Sequence, residues 1–199
     1  MIWRVRRVIT GHDSEGRSTF IADGLAPNVK EMAPTFPGLA LTDLWETRGA
    51  PADNEAQGDA AARPVHLEPP KNGTLVRIVE FPPDSTRPQR TDESAGFKAI
   101  GAGHTQDRHS SDPMMHRTHT TDYAIVLKGE IHAVMETGET LLRAGDVLIQ
   151  RGTNHSWSVR GSEPAIVAFV LVSAKPLSFT KKKASLARKK PAKKAKKKK

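Results

Sequence analysis

The chain has 199 residues, no cysteine and a formal charge of +9. That is enough for one domain with a real hydrophobic core, and it excludes disulfides, zinc–thiolate sites and thiol catalysis. The charge is local: residues 181–199 hold eleven lysines and Arg188 with no acid, so residues 1–180 carry a net charge of −3. Few aromatics with plentiful Pro and Gly suit a β-rich fold with many corners. Met1 to Arg7 lacks the apolar run of a signal peptide, and the longest apolar run, Ala165 to Val172, is too short to span a bilayer. The expectation is a cytoplasmic protein without a transmembrane segment.

In chain order, Trp3–Ile9 and Ser18–Ala22, joined by the turn residues Gly11 to Gly16, predict an N-terminal hairpin that adds to the main sheet. His12 falls in that turn, where a solvated side chain is the natural reading. Asp23–Pro37 is Pro-rich and irregular, and Gly38–Glu46 reads as a strand whose Trp45 belongs to the core more readily than to a ligand site. Residues 49–63 read as a loop or mobile linker. Thr74–Phe81 is the clearest strand of the first half. Its alternation sets Val76, Ile78 and Glu80 against Leu75, Arg77, Val79 and Phe81, so whichever face turns inward carries a charge that needs a partner or a ligand. Thr91–Ile100 predicts a short helix ending at Gly101. His104, Asp107, His109 and Asp112 follow in a loop rich in Gly, Ser and Thr, a segment suited to covering a barrel mouth rather than to holding a metal.

From His116 onward the pattern is strand and turn in regular succession: Asp122–Leu127, Lys128-Gly129, Glu130–Met135, Thr137-Gly138, Glu139–Arg143, Gly145-Asp146, Val147–Ile149, the polar corner Arg151–Asn154, and Ala165–Val172. Such runs predict a closed antiparallel sheet, because closure removes exposed edges. Within it, His116-Arg117-Thr118, Asp122 and Gly129 form one motif, and Gly145, Gln150-Arg151-Gly152, His155 and Val159 form a second. In order and spacing these resemble the two motifs of the cupin superfamily, an H-x-H with a following E and G, and a G with a following P-x-G, H and N. Thr118 stands where the second His belongs, Asp122 replaces Glu, Gln150 replaces Pro, Val159 replaces Asn, and the second motif is one residue short. The resemblance implies an all-β, jelly-roll-like antiparallel cupin barrel over residues 1–176, with one or two short helices and a disordered Lys-rich tail over 177–199. It also implies a homodimer.

For chemistry, the resemblance turns His116 and Asp122 inward from one strand and brings in His155 from the second motif, with Trp157 on the same side. Two imidazoles and a carboxylate are the ligand set of a facial triad, suited to Fe, Mn, Ni or Zn; a bulge near Thr120 would swing in His119 as a further imidazole. The alternative is a metal-free cavity in which His116, His155 and Trp157 form a polar end. Thr118 and Trp157 are candidate pocket residues, and Arg151, beside the mouth with Arg117, is a candidate carboxylate clamp. His66 and His132 have no partner at ligand spacing. No catalytic residue is singled out, and no G-x-S-x-G, Gly-rich phosphate loop or P-loop occurs, so no nucleotide cofactor is expected.

Two functions follow from the resemblance. One is a metal-dependent enzyme, a dioxygenase, isomerase, decarboxylase or dehydratase, acting on a small organic acid or aromatic. The other is a metal-free protein that binds a small ligand without turning it over. The 181–199 tail has too few apolar residues to fold and no aromatic to stack on bases, so it would hold nucleic acid or another polyanion through phosphates alone.

Overall fold

The computed structural model describes residues 2–56, 58–88 and 92–178. The tail expected to bind polyanions lies outside the described residues. Among the described residues eleven strands form in chain order: β1 (Arg6–His12), β2 (Ser18–Leu25), β3 (Val29–Glu31), β4 (Ala40–Thr47), β5 (Thr74–Phe81), β6 (Thr120–Lys128), β7 (Glu130–Met135), β8 (Gly138–Arg143), β9 (Val147–Arg151), β10 (His155–Ser158) and β11 (Ala165–Ser173). A 3₁₀ turn (Asp84–Thr86) and one helix, α1 (Glu93–Ala99), separate β5 from β6. Among the described residues no helix is long and apolar enough to cross a membrane.

The strands assemble into a six-stranded sheet in the order β3-β4-β5-β11-β6-β9 and a three-stranded sheet in the order β10-β7-β8, every ladder antiparallel. The apolar run of β11 runs between β5 and β6 in the middle of the larger sheet, which is why it lacks the polar alternation of a half-exposed strand. Leu75 and Val79 of β5, Val167 and Leu171 of β11 and Val126 of β6 share one core with Ile131 and Ala133 of β7 and Leu142 of β8. The chain crosses from one sheet to the other at Gly129. There φ is +76°, and a Cβ would lie 2.7 Å from the Pro164 carbonyl oxygen, so only glycine fits.

The helix is capped by Asp92, whose side chain accepts from the Ala95 N–H at 3.0 Å. Gly96 lies against Phe36, where a Cβ would come within 2.1 Å of the ring, and this close seat presses Phe97 and Ile100 into the core. The helix thereby closes one side of the space between the sheets.

Three expectations need correction. The hairpin β1–β2 does not extend the main sheet; it pairs only with itself, and β2 is exposed along its length. It is attached by side chains instead: Arg7 donates to the Leu44 carbonyl at 2.9 Å and to Asp59 at 2.8 Å. The 59–63 end of the segment expected to be a loop or mobile linker is tied down. Ala61 is fully buried, its carbonyl accepts from Asn28 Nδ2 at 2.7 Å, and Arg63 reaches into a buried ion cluster. Within the Pro-rich stretch, β3 pairs with β4, a short edge strand with too little apolar content to register in the sequence.

Candidate functional site

The two sheets and α1 enclose a cavity of about 140 Å³. Its walls are mostly apolar, with Leu41, Val79, Phe81, Phe97, Val159 and Phe169 among them; of its polar side chains, Asp84 and Arg87 pair with each other at 3.4 Å and the others gather into two groups.

The first group is a pair of histidines. His116 lies in an extended segment outside the named strands, and its backbone exchanges both hydrogen bonds with His155 at the start of β10, each at 2.9 Å. Residues paired in this way project to the same side, and the two rings stand 4.3 Å apart between centroids at 47°. Each Nδ1 lies beside a backbone carbonyl, His116 at 2.9 Å from Met114 and His155 at 3.0 Å from Thr153. A carbonyl only accepts, so each Nδ1 carries the proton and each neutral ring offers an Nε2 lone pair. Removal from water lowers the pKa of both rings; for His155, pushed well below 6.5, the neighbouring His116 lowers it further. Phe97 lies 5.2 Å from His116, and Trp157, two residues beyond His155 on the same face, lies 5.9 Å from it and 5.5 Å from Phe169.

The loop before His116 serves this pair from behind. Asp112 accepts from the Ser156 hydroxyl and from the Met114 N–H, Asp107 accepts from Asn154 Nδ2 at 2.8 Å, and His104 pairs with Glu68 at 2.7 Å. The acids of the His104–Asp112 cluster are thus spent on holding the His155 strand and the turn before His116. Gln150, where the motif would have proline, keeps the adjoining corner by donating to the Thr153 carbonyl and hydroxyl at 3.1 and 2.6 Å. Val159, where the motif would have asparagine, is buried and lines the cavity.

The second group is charged. Asp122 on β6 faces inward, as the alternation from Thr118 through Thr120 requires, and Thr118 and Thr120 share a 2.6 Å hydrogen bond. Burial pushes the Asp122 carboxyl up to about 6, against the opposing pull of the Thr120 hydroxyl and Arg77. On β5 it is the Leu75, Arg77, Val79, Phe81 face that lines the cavity, while Glu80 on the other face accepts from the Trp3 N–H at 2.6 Å. Arg77 is 2% exposed and sits 2.8 Å from Asp43, its cross-strand neighbour on β4. A register shift between Asp43 and Trp45 turns Glu46 to the same side as Asp43, and Arg63 bridges both carboxylates at 2.6 Å. His66 closes the cluster, 3.1 Å from Glu46 through Nε2, its Nδ1 beside the Glu68 carbonyl at 2.6 Å.

Of the residues singled out from the sequence, His116, Thr118, Asp122, His155 and Trp157 line the cavity. Arg151 does not. It is exposed at the end of β9, where side chains alternate and its inward neighbour is Gln150. His119 is also exposed, because no bulge breaks the alternation around Thr120; the β6 ladder shifts register only near Ile166.

Among the described residues no three His, Cys, Asp or Glu side chains form a group that could hold a metal, His116, Asp122 and His155 included. Thr118 supplies a hydroxyl committed to Thr120 where an imidazole would be needed, and the charges that act on Asp122 are Arg77 and Glu68, whereas the one that acts on His116 is Asp112. The donor set present does not fit a three-ligand ion. Arg77 is the inward charge that the alternation of Thr74–Phe81 leaves needing a partner or a ligand. The Asp43–Arg63–Glu46 cluster depends on a bulge that leaves no local signal.

No protein-family model matches the sequence. The phomopsin biosynthesis cluster protein C′ of Diaporthe leptostromiformis is 32% identical over 183 residues, covering 87% of this chain and 80% of that protein. The cupin-domain-containing oxidoreductase srdB of Neurospora crassa is 30% identical over 178 residues, covering 86% of this chain and 74% of that protein. Among solved structures, the cupin domain of Schizosaccharomyces pombe Cnp3 aligns over 92% of this chain and 96% of that one at 12% identity, with a TM-score of 0.42. With antiparallel sheets as expected and a cupin-domain-containing relative 30% identical that is covered over 74% of its length, this chain belongs to the cupin superfamily.

Proposed function

We propose that this cupin is an enzyme that binds a small, mainly apolar molecule between its sheets and moves a proton on it. The observation that carries the reading is the histidine pair: two neutral imidazoles, each fixed as the Nδ1–H tautomer by a carbonyl, presenting Nε2 lone pairs to an apolar cavity. The volume suits a single ring, since apolar cavities of roughly 150 Å³ take up benzene.

The chemistry these walls supply is enolisation. Nε2 of His155 or His116 accepts a proton from the carbon next to a carbonyl, the C–H pair becomes the C=C bond, and the carbonyl oxygen takes a proton from the Asp122 carboxyl, which is held near pH 6 for that purpose. Reversal at another carbon gives an isomer with no oxidant consumed. Of the activities that the cupin resemblance implies, isomerase and dehydratase chemistry fit these groups best, and no step is routed through a metal. The relatives named as cupin-domain-containing oxidoreductases support an enzymatic role; a redox step would draw its oxidant or reductant from a co-substrate, with these groups handling protons.

The test is solvent exchange. Phenylacetaldehyde in D₂O with the full chain is followed by proton NMR for deuterium uptake at the α-carbon. Catalysed exchange, abolished in the His116→Phe, His155→Gln double variant, is expected; exchange at the uncatalysed rate with binding intact would leave a ligand-binding cupin without turnover. We also assign the twelve positive charges of residues 181–199 to weak, salt-sensitive retention on polyanions.

A further inference from the structure

Arg77 is one of the largest fully buried side chains, yet it is not fully partnered. Its Nη2 is shared between Asp43 and the His66 carbonyl, while Nε and Nη1 have no hydrogen-bond partner. Its same-face neighbours Leu75 and Val79 and its cross-strand neighbour Phe169 cannot accept a hydrogen bond. Buried donors in native proteins are paired with very few exceptions, so two on one guanidinium call for an acceptor.

Protein groups do not supply it. Asp122 faces the same cavity from β6, but β11 runs between the two strands, with Leu171 opposite Asp122 and Phe169 opposite Arg77. No ion pair joins them, and Asp122 Oδ1 is itself without a partner. The buried Arg77 and Arg63 share the two carboxylates Asp43 and Glu46, and Glu46 also takes His66 and the exposed Arg48, so no carboxylate is left over for the free donors of Arg77. One end of an apolar, ring-sized cavity thus holds unpaired donors on a buried guanidinium and an unpaired carboxyl oxygen.

We propose that Arg77 is the receptor for an anionic oxygen of the ligand, and that the cavity takes small carboxylic acids whose carboxylate meets Arg77 while the apolar body lies among Phe81, Phe169 and Trp157. A guanidinium is suited to this because it stays charged when buried and its planar donors match carboxylate geometry. Asp43 and Arg63 act behind it as positioning residues. The assignment rests on the cavity being the ligand site, and it moves the carboxylate clamp from the exposed Arg151 to the interior.

The experiment compares benzoate, benzamide and benzene as probes of the full chain, read by chemical-shift changes at the Trp157 indole N–H so that anions held by the basic tail do not register. Wild type is expected to bind benzoate at least ten-fold more tightly than benzamide, and Arg77→Met to lose that preference while still binding benzene. Arg77→Lys, which retains the charge, guards against a folding defect in the Met variant and should keep part of the preference. Equal affinity for benzoate and benzamide, with benzene still bound, would overturn the role of Arg77 and leave the cavity reading standing. No shift at Trp157 with any of the three would remove both.

Discussion

The two polar ends of the cavity are built on opposite principles. At the histidine end the rings themselves are fixed: each Nδ1 has its carbonyl, Asp107 and Asp112 brace the surrounding backbone, and the rings are neutral, the unpartnered atoms there being the uncharged amide oxygens of Gln150 and Asn154. At the arginine end charge is concentrated and bonding incomplete, with two donors of Arg77 and one oxygen of Asp122 unpaired. A neutral end with its rings fixed is suited to offering a lone pair repeatedly without rearranging. An unfinished, charged end is suited to being completed by a ligand.

The sharpest way to break this contrast is Asp43→Ala, which strips Arg77 and Arg63 of their shared counter-ion. Leaving buried charge uncompensated costs about 3–5 kcal/mol, so urea unfolding should show a loss of that size or no folded protein. Next in size is Asp122→Asn. Its carboxyl titrates near 6 in the folded chain against 3.8 for an ordinary aspartate, so its burial is harmless below 3.8 and costs stability as pH rises through 6. The gap corresponds to roughly 3 kcal/mol at most. The variant should therefore be more stable than wild type at pH 8 and show no such advantage at pH 3.5, by denaturant titration at each pH.

The histidines slope the other way. Their folded values lie below 6.5, so the unfolded chain takes up protons that the folded chain refuses, and stability that is complete above 6.5 drains away on acidification. Each contributes up to about 1.4 kcal/mol per pH unit, and His155→Gln should flatten the acid limb of the stability profile. Ser156→Ala removes one donor from Asp112 and should cost about 1 kcal/mol. Smallest is Arg151→Ala: an exposed side chain outside the cavity should change stability by under about 0.5 kcal/mol and leave probe binding at Trp157 unaltered.

The same contrast explains what the sequence could convey. The histidine end comes from the second half of the chain, where alternating strands and glycine corners are local features and carry the cupin resemblance, and that resemblance assigned His116, Asp122, His155 and Trp157 to one interior. Whether they meet as metal ligands was not legible, since that depends on Thr118 spending its hydroxyl on Thr120 and on Asp122 lying in the field of Arg77 rather than of the imidazoles. The arginine end draws on β4, β5 and the 49–63 segment. Glu46 joins Asp43 only because of a bulge, and Arg63 arrives from a stretch whose Pro, Gly and Ala content reads as linker. Long-range ion pairing of this kind has no periodic signature. The β1–β2 hairpin was legible as a hairpin, but its failure to join the main sheet is a matter of edges that local pattern does not encode.

The most direct measurement is of the imidazoles themselves, by long-range nitrogen–proton correlation spectra of the full chain across pH. The account predicts that His116 and His155 are both neutral Nδ1–H tautomers at pH 7, that neither titrates at 6.5, and that both Nε2 resonances move when benzene or benzoate enters the cavity. Nε2–H tautomers, a pKa at or above 6.5 for either ring, or indifference to the probes would contradict it.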